Sequence, residues 1–414
     1  MQSPDVPATP VAVAEPVRSS ASAVSPSGFG HPDELRLEVV PAGPQLWDRL
    51  GPVWNTLWAV DETWSAFVSP PWVGAWLSTF GEMTSAHGLV WWSGEQPVGV
   101  CFLTKRRMRR GPFPIEQLCL NGFGAAGVGC EHNRILVHPS YEARVCQGLL
   151  DYLLSQRGDE VSFDGISGTM FHQVRDRWPG RGWFGHASES PYVSLDHVRA
   201  SDGGYLRLLS SNTRAQLRRS HRLLVEEFGP LALEVLEARD RAEQALATLV
   251  RLHESTWRRR GQSGAFGGDA LRFHHKLFEK TFSEPSALRV DIMEVRFGDT
   301  VAGVLYNLVC QGHVQFYQSG VMRHEDNRVK PGLTCHALAI ERYAEAGALT
   351  YDFLGGEPDA VRYKASMSNA SQPLYWAQFP YPSFKMNLLA RLRAVRSGVV
   401  RGSRTNNNRG RQTP

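Results

Sequence analysis

The 414-residue chain has no run of eighteen apolar residues, which excludes a membrane-spanning helix of the usual kind. Cysteine is sparse. The six residues (Cys101, Cys119, Cys130, Cys146, Cys310 and Cys335) show no Cys-x-x-Cys spacing. That argues against a disulfide framework and fits a reducing cytoplasm. Met1 to Pro10 bring neither a basic segment nor an apolar one, so no secretory leader is expected. Acidic residues are missing from Lys385 to the end, where eight Lys or Arg occur. Subtracting that +8 from the net +4 leaves −4 for the remainder. The positive charge is therefore a tail property, and the body gives no electrostatic case for specific nucleic-acid binding.

What is present is ordinary for a globular protein: 42% apolar and 21% charged residues, in a chain long enough for two cores. Twelve Trp suit core packing or an aromatic ligand groove. Residues 1–33 are rich in Pro, Ala and Ser and have little to bury, which predicts disorder. Leu46 to Phe80 reads as two helices carrying Trp54, Trp58, Trp72 and Trp76, the second opening at Pro70-Pro71. Leu89–Trp92 and Val98–Leu103 flank a turn and read as a hairpin; a helix over Arg144–Leu154 and a strand over Glu160–Ile166 follow. The second half repeats this order. It has a helix over Glu243–Arg260, strands at Asp291–Arg296, Val301–Val309 and His313–Val321, a helix over Leu333–Ala346 and a strand at Ala348–Leu354. Gly94-Glu-Gln-Pro-Val-Gly-Val aligns with Gly298-Asp-Thr-Val-Ala-Gly-Val, so a duplicated α/β unit is expected.

Three stretches can carry chemistry. Arg328-Val-Lys330-Pro331-Gly332-Leu333-Thr334 passes from a strand into a helix. The open amides of a helix start favour an anion, Gly332 lets backbone approach it, and Arg328 and Lys330 add charge. The competing reading is a plain strand-to-helix turn. Asp352 sits among Tyr351, Phe353 and Leu354, with Lys364 following. Burial favours the neutral form of a carboxyl group and suits a general base, while Lys364 could stabilise an oxyanion or form a structural ion pair. His253 shares a helix face with Trp257 and is either a base or a boundary residue. Tyr317, on a strand, is a candidate proton donor or a packing residue. Gly122-Phe-Gly124-Ala-Ala-Gly127 matches a dinucleotide fingerprint in letters only, because strand-like residues ending at Pro139 follow it rather than a helix. Cys130, His132 and His138 lack zinc spacing, and no metal site is expected.

Taken in order, several stretches resemble the GNAT-type acetyltransferases associated with bacterial cellulose and exopolysaccharide synthesis. They are Ser69-Pro-Pro-Trp72 with Trp76, His253 to Trp257 with Arg260-Gly261 and Gly264-Ala-Phe266, Ala302-Gly303, Pro331-Gly332-Leu333, and Tyr351-Asp352-Phe353 with Gly356, Tyr363 and Lys364. More distantly they resemble the Fem-type peptidyltransferases. The resemblance spans residues 35–385 and is strongest from 205 on. It implies an α/β (α+β) fold of tandem GNAT-like lobes, each a mixed, largely antiparallel sheet flanked by helices. The first lobe would cover 34–200 and be degenerate, the second 201–383 and be catalytic. Independently of the resemblance, apolar residues at 384, 388, 392, 395 and 399, with Arg391, Arg393 and Arg396 beside them, predict that 384–414 is a basic tail opening in an amphipathic helix and then disordered.

The resemblance further implies acyl-CoA, with acetyl-CoA foremost, as co-substrate and no permanently bound cofactor. Transfer would be direct, to an amine or hydroxyl of a small molecule or glycan. On residue type and expected placement, Asp352 or His253 would act as base, with Lys364 and Tyr317 at the oxyanion and leaving thiolate. Lys330 to Thr334, with Arg328 beside them, would hold the phosphates. One departure stands out. The family's loop usually reads Gln/Arg-x-x-Gly-x-Gly/Ala, whereas Arg328 lies four residues before Gly332 and Thr334 takes the last small position. The matching run in the first lobe, Val137-His-Pro-Ser-Tyr-Glu-Ala143, has no glycine, so that lobe is expected not to bind CoA. The rival readings are aminoacyl-tRNA-dependent transfer and a non-catalytic accessory subunit of a polysaccharide synthase. The tail is expected to touch an anionic membrane or a synthase, or to pack on the second lobe.

Overall fold

The computed structural model describes residues 35–122, 128–179, 182–259, 264–283, 286–355 and 363–392, with only the backbone of Trp257 and Arg259. Residues 1–34, most of the Gly122–Gly127 stretch, Arg260-Gly261, Gly356 and the chain from 393 on lie outside these described residues.

In chain order the elements are β1 (Arg36–Val40), α1 (Leu46–Trp58), α2 (Pro70–Phe80), β2 (His87–Ser93), β3 (Gln96–Arg110), β4 (Phe113–Leu120), β5 (Leu136–Val137), α3 (Glu142–Ser155), β6 (Glu160–Ser167), α4 (Gly168–Arg177) and β7 (Phe184–Ser194). Then come α5 (Leu195–Arg199), α6 (Gly204–Leu208), α7 (Ser211–Phe228), β8 (Leu231–Val235), α8 (Arg239–Arg259), α9 (Gly268–Phe282), β9 (Arg289–Phe297), β10 (Thr300–Cys310), β11 (His313–Val321), α10 (Pro331–Glu345), β12 (Thr350–Asp352) and β13 (Ala370–Pro380). A last helix, α11, covers 384–392.

Two compact units form, and each is discontinuous in sequence. The N-unit holds 35–189, 265–288 and the chain from 372; the C-unit holds 190–264 and 289–371. Each is completed by material from the other half of the chain. β13 pairs antiparallel with β6 in the N-unit, and the end of β7 pairs antiparallel with β12 in the C-unit. α9 belongs to the N-unit, where the ring of Phe273 lies edge-on to Trp72 of α2 at 4.8 Å.

Both units have the same topology. Three antiparallel pairings lead from β1 to β4 and from β8 to β11. A helix then crosses over and a parallel strand follows: α3 then β6, and α10 then β12. The result in each is a mixed, largely antiparallel sheet flanked by helices. The repeated hairpin text has a packing reason. A Cβ on Gly99 of β3 would meet Val145 of α3 at 2.6 Å, and one on Gly303 of β10 would meet Cys335 of α10 at 2.8 Å. In both units the crossover helix sits directly on a glycine, which permits close approach of helix and strand.

Burial explains the remaining placements. α2 opens with Pro70 at a position where a missing N–H costs nothing. Trp54, Trp72 and Trp91 are fully buried, so these tryptophans are N-unit core. α10 buries Cys335, Ala339 and Ile340 in the C-unit core. Among the described residues no helix is long and apolar enough to cross a membrane.

Candidate active site

The C-unit sheet parts between two strands. β11 and β12 pair in parallel for three residues only, His313 with Thr350, Val314 with Tyr351 and Gln315 with Asp352. β11 then runs on to Val321 paired, among the described residues, with β10 alone. Phe353 instead donates its N–H to Pro191 O on the β7 side at 2.9 Å. At the parting point β11 carries one extra residue. Phe316 faces Asn307 and Gln318 faces Tyr306, leaving Tyr317 as the bulge. A bulge bends its strand and increases local twist, a physical cause for the wedge.

α10 begins where the wedge is wide. Its N-cap residue, Lys330, makes no side-chain cap, and Pro331 stands at the N-terminus. A Cβ on Gly332 would meet only Val321 Cγ2, at 3.8 Å, so the space in front of this backbone is open. The helix start is held from behind. Ser220 Oγ of α7 accepts from Lys330 N at 2.8 Å and lies 2.9 Å from Thr334 Oγ1, which donates to Lys330 O. Thr334 is thus a buried strut. Arg328 turns to Asp326 and holds that carboxyl down to about 2, mainly by their side-chain hydrogen bond. Of the expected phosphate residues, Gly332 and Leu333 offer backbone, with the half-buried Lys330 beside them. Pro331 is buried and contributes a fixed φ.

His253 lies on α8, packed over the part of β11 beyond the bulge. A Cβ on Gly320 would fall 2.3 Å from Leu249 O, so α8 rests on bare backbone there. His253 Nδ1 is 3.2 Å from Ser319 O. A carbonyl can only accept, so Nδ1 carries the proton and Nε2 the lone pair. Burial lowers the His253 pKa below its ordinary 6.5, partly opposed by Ser319 and Glu254. The imidazole is therefore neutral at pH 7.

Asp352 closes the narrow end. Its Oδ1 accepts from Ser190 Oγ at 2.8 Å and from Leu354 N at 2.7 Å. Lys364 Nζ donates to Leu354 O and Gly355 O. These two residues tie the turn after β12. Tyr317, half-buried, meets Tyr306 edge-to-face at 5.3 Å. Sequence reasoning missed α7 and its Ser220. Ser210, whose side chain caps Thr213 N, is the start signal that marks that helix. It also missed His336, buried on α10 with its Nδ1 2.9 Å from Tyr351 OH and Phe316 edge-on at 4.4 Å.

In the N-unit the chain itself pairs along the equivalent gap, and the same segment lines a cavity of about 450 Å³ together with Glu142, Cys146 and Ser167. β4 and β6 pair in parallel at Gln117–Glu160, Leu118–Val161 and Cys119–Ser162. Beyond them Asn133 bridges in parallel to Ile166, with Asn133 N donating to Gly165 O at 3.0 Å. Asn133 Nδ2 donates to Leu120 O at 2.9 Å, and Asn121 Nδ2 donates to Arg134 O at 2.6 Å. The facing helix α3 starts with Glu142, a charge that suits its own dipole and repels a phosphate. Past the fingerprint-like glycines the described chain makes β5 and no helix before residue 139. Among the described residues no group of three His, Cys, Asp or Glu is placed to hold a metal ion.

A family model described as an acetyltransferase (GNAT) domain matches residues 211–365. That segment contains the wedge, α8 and α10, and it has the GNAT acyltransferase fold. No curated protein matches the chain by sequence. Solved structures match its fold. The C-terminal DUF2156 domain of a proposed lysylphosphatidylglycerol synthetase from Agrobacterium fabrum superposes with TM-score 0.50 at 12% identity, over 83% of this chain and 95% of that one. A conserved protein of unknown function from Bacteroides thetaiotaomicron gives 0.51 at 9%, over 80% and 97%. A tandem GNAT protein from the clavulanic acid biosynthesis pathway gives 0.45 at 13%, over 84% and 100%.

Proposed function

We propose that the chain is an acyl-CoA-dependent acyltransferase, with acetyl-CoA as the leading donor, acting directly on an amine or hydroxyl. The observation that carries this reading is the wedge beside an uncapped helix start. An extended pantetheine arm can add as a short strand along β11 beyond its pairing with β12. The donor phosphates then lie on the Gly332 and Leu333 amides beside Lys330, where the helix dipole favours negative charge. The thioester would lie near the bulge at Tyr317.

His253 is the better base. Its neutral imidazole with the lone pair on Nε2 can take a proton from the acceptor at pH 7. The attacking atom forms a bond to the thioester carbonyl, and the C–S bond breaks as the tetrahedral intermediate collapses. Tyr317 is the nearest candidate to protonate the leaving thiolate. Asp352 and Lys364 serve by shaping the wedge mouth. The acceptor is read as a glycan or small molecule of exopolysaccharide or envelope synthesis, reached from the cytoplasmic membrane face. The motif resemblance and the basic C-terminus support that part.

Thermal unfolding with CoA and acetyl-CoA tests the donor. A ligand that binds only the folded chain raises the midpoint. A flat response to both, with no thiol release from acetyl-CoA in the presence of amine or hydroxyl acceptors, would remove the reading.

A further inference from the structure

α11 is amphipathic in an unusual sense: apolar residues stand on its outer face as well as its inner one. On the inner face Met386 and Leu389 are buried against Ile115, with Met108 and Phe113 of the β3–β4 hairpin beside them. The helix is further pinned by Lys385, whose Nζ donates to Asp159 at 2.7 Å. On the outer face stand Phe384, Leu388 and Leu392, spaced four residues apart, with the exposed Arg391 among them. Phe384 is 85% exposed and Leu392 45%. No other large apolar side chain among the described residues is as exposed as Phe384. The surrounding sequence is strongly cationic. Arg393, Arg396, Arg401, Arg404, Arg409 and Arg411 follow Arg391 with no acidic residue between them.

We infer that the outer face of α11 is a docking surface for an anionic lipid bilayer, with Phe384 entering the headgroup–acyl boundary and the exposed Arg391 on the same face drawn to the lipid charge. The inference rests on the peripheral-membrane part of the proposed function and names its surface. An apolar stripe flanked by cations fits this chemistry, because apolar burial and attraction to anionic lipid act together.

The test is vesicle flotation of the full chain, using phosphatidylcholine alone or mixed with phosphatidylglycerol, at low and high salt. Two variants accompany it: Phe384→Glu, and a triple change of Arg393→Gln, Arg396→Gln and Arg401→Gln. Phe384 touches too little protein for its replacement to threaten the fold, and unfolding midpoints verify this. The expected result is flotation only with phosphatidylglycerol, weakened by salt, and reduced about tenfold or more by Phe384→Glu. Failure of the unchanged chain to float overturns the membrane reading as a whole. Flotation lost in the arginine variant but unchanged in Phe384→Glu leaves the tail as the contact and overturns the α11 surface. Concentration-dependent dimerisation abolished by Phe384→Glu, without flotation, assigns the face to a second copy and also overturns it.

Discussion

His253 Nδ1 lies 3.2 Å from the carbonyl oxygen of Ser319, on the stretch of β11 that has left its parallel neighbour. This one contact fixes the tautomer of a neutral imidazole beside the wedge. Replacing His253 by Gln should lower kcat by about 10²-fold or more while CoA affinity stays near the starting value. Because burial lowers the His253 pKa, the acid limb of kcat/KM should lie below pH 6.5. Thiol release measured from pH 5 to pH 8 checks both. Unchanged turnover in His253→Gln would transfer the role to Asp352.

The backbone at Gly332 has open space before it. Gly332→Ala should leave stability unchanged or raise it by up to about 1 kcal/mol, since alanine is the better helix former. Gly332→Val should weaken CoA binding through its added bulk at the phosphates. Calorimetric titration of both variants decides this, and equal CoA affinity across the series would show that the loop is a plain turn.

Asn133 occupies the strand edge of the N-unit gap and Glu142 sits at the facing helix start, which predicts one donor per chain. Titration with CoA should saturate at a single equivalent, and a second equivalent of similar affinity would contradict the blockage by Asn133. Asn133→Ala removes its bond to Leu120 O and leaves buried polar groups unpaired. It should cost about 1–3 kcal/mol in a urea titration.

Acid should destabilise the fold through two buried histidines. Burial pushes His274 and His336 down to about 3, with His275 and Lys364 adding smaller contributions. Both are neutral when folded and titrate near 6.5 when unfolded, so between those values the unfolded state binds more protons. Stability should therefore fall as pH drops below 6.5, by up to about 1.4 kcal/mol per pH unit for each histidine. Urea midpoints at pH 7, 6 and 5 measure the slope, and His336→Phe should flatten it. Equal midpoints across that range would contradict the buried neutral state.

Local patterns make much of the fold legible. The Pro70-Pro71 helix start, the hairpins around Gly94 and Gly298, and the amphipathic period before Glu160 are each written in residues only a few positions apart. β3 runs further than its apolar core suggests, because Lys105 to Arg110 stay extended by pairing with Phe113–Leu118. β12 is shorter than the apolar run Ala348–Leu354, since pairing stops where the wedge opens. The stripe at 384, 388 and 392 is visible as a helix face. Its orientation is not, because Met386 and Leu389 claim the inner side.

Element order, the duplication and the Lys330–Thr334 helix start all follow from residues close together along the chain. What those residues do follows from folding. Ser220 turns Thr334 into a strut, and Asp326 engages Arg328. Ser190 and Leu354 bind Asp352, while Ser319 orients His253. Ser220, Ser190 and Ser319 lie far from their partners in sequence, and a donor or acceptor brought in from a distant segment leaves no trace in local composition or periodicity. The way β7 and β13 complete their sheets is of the same kind. Each pairs with a strand from the opposite half of the chain, and a hydrogen-bond edge exists only after both strands are in place.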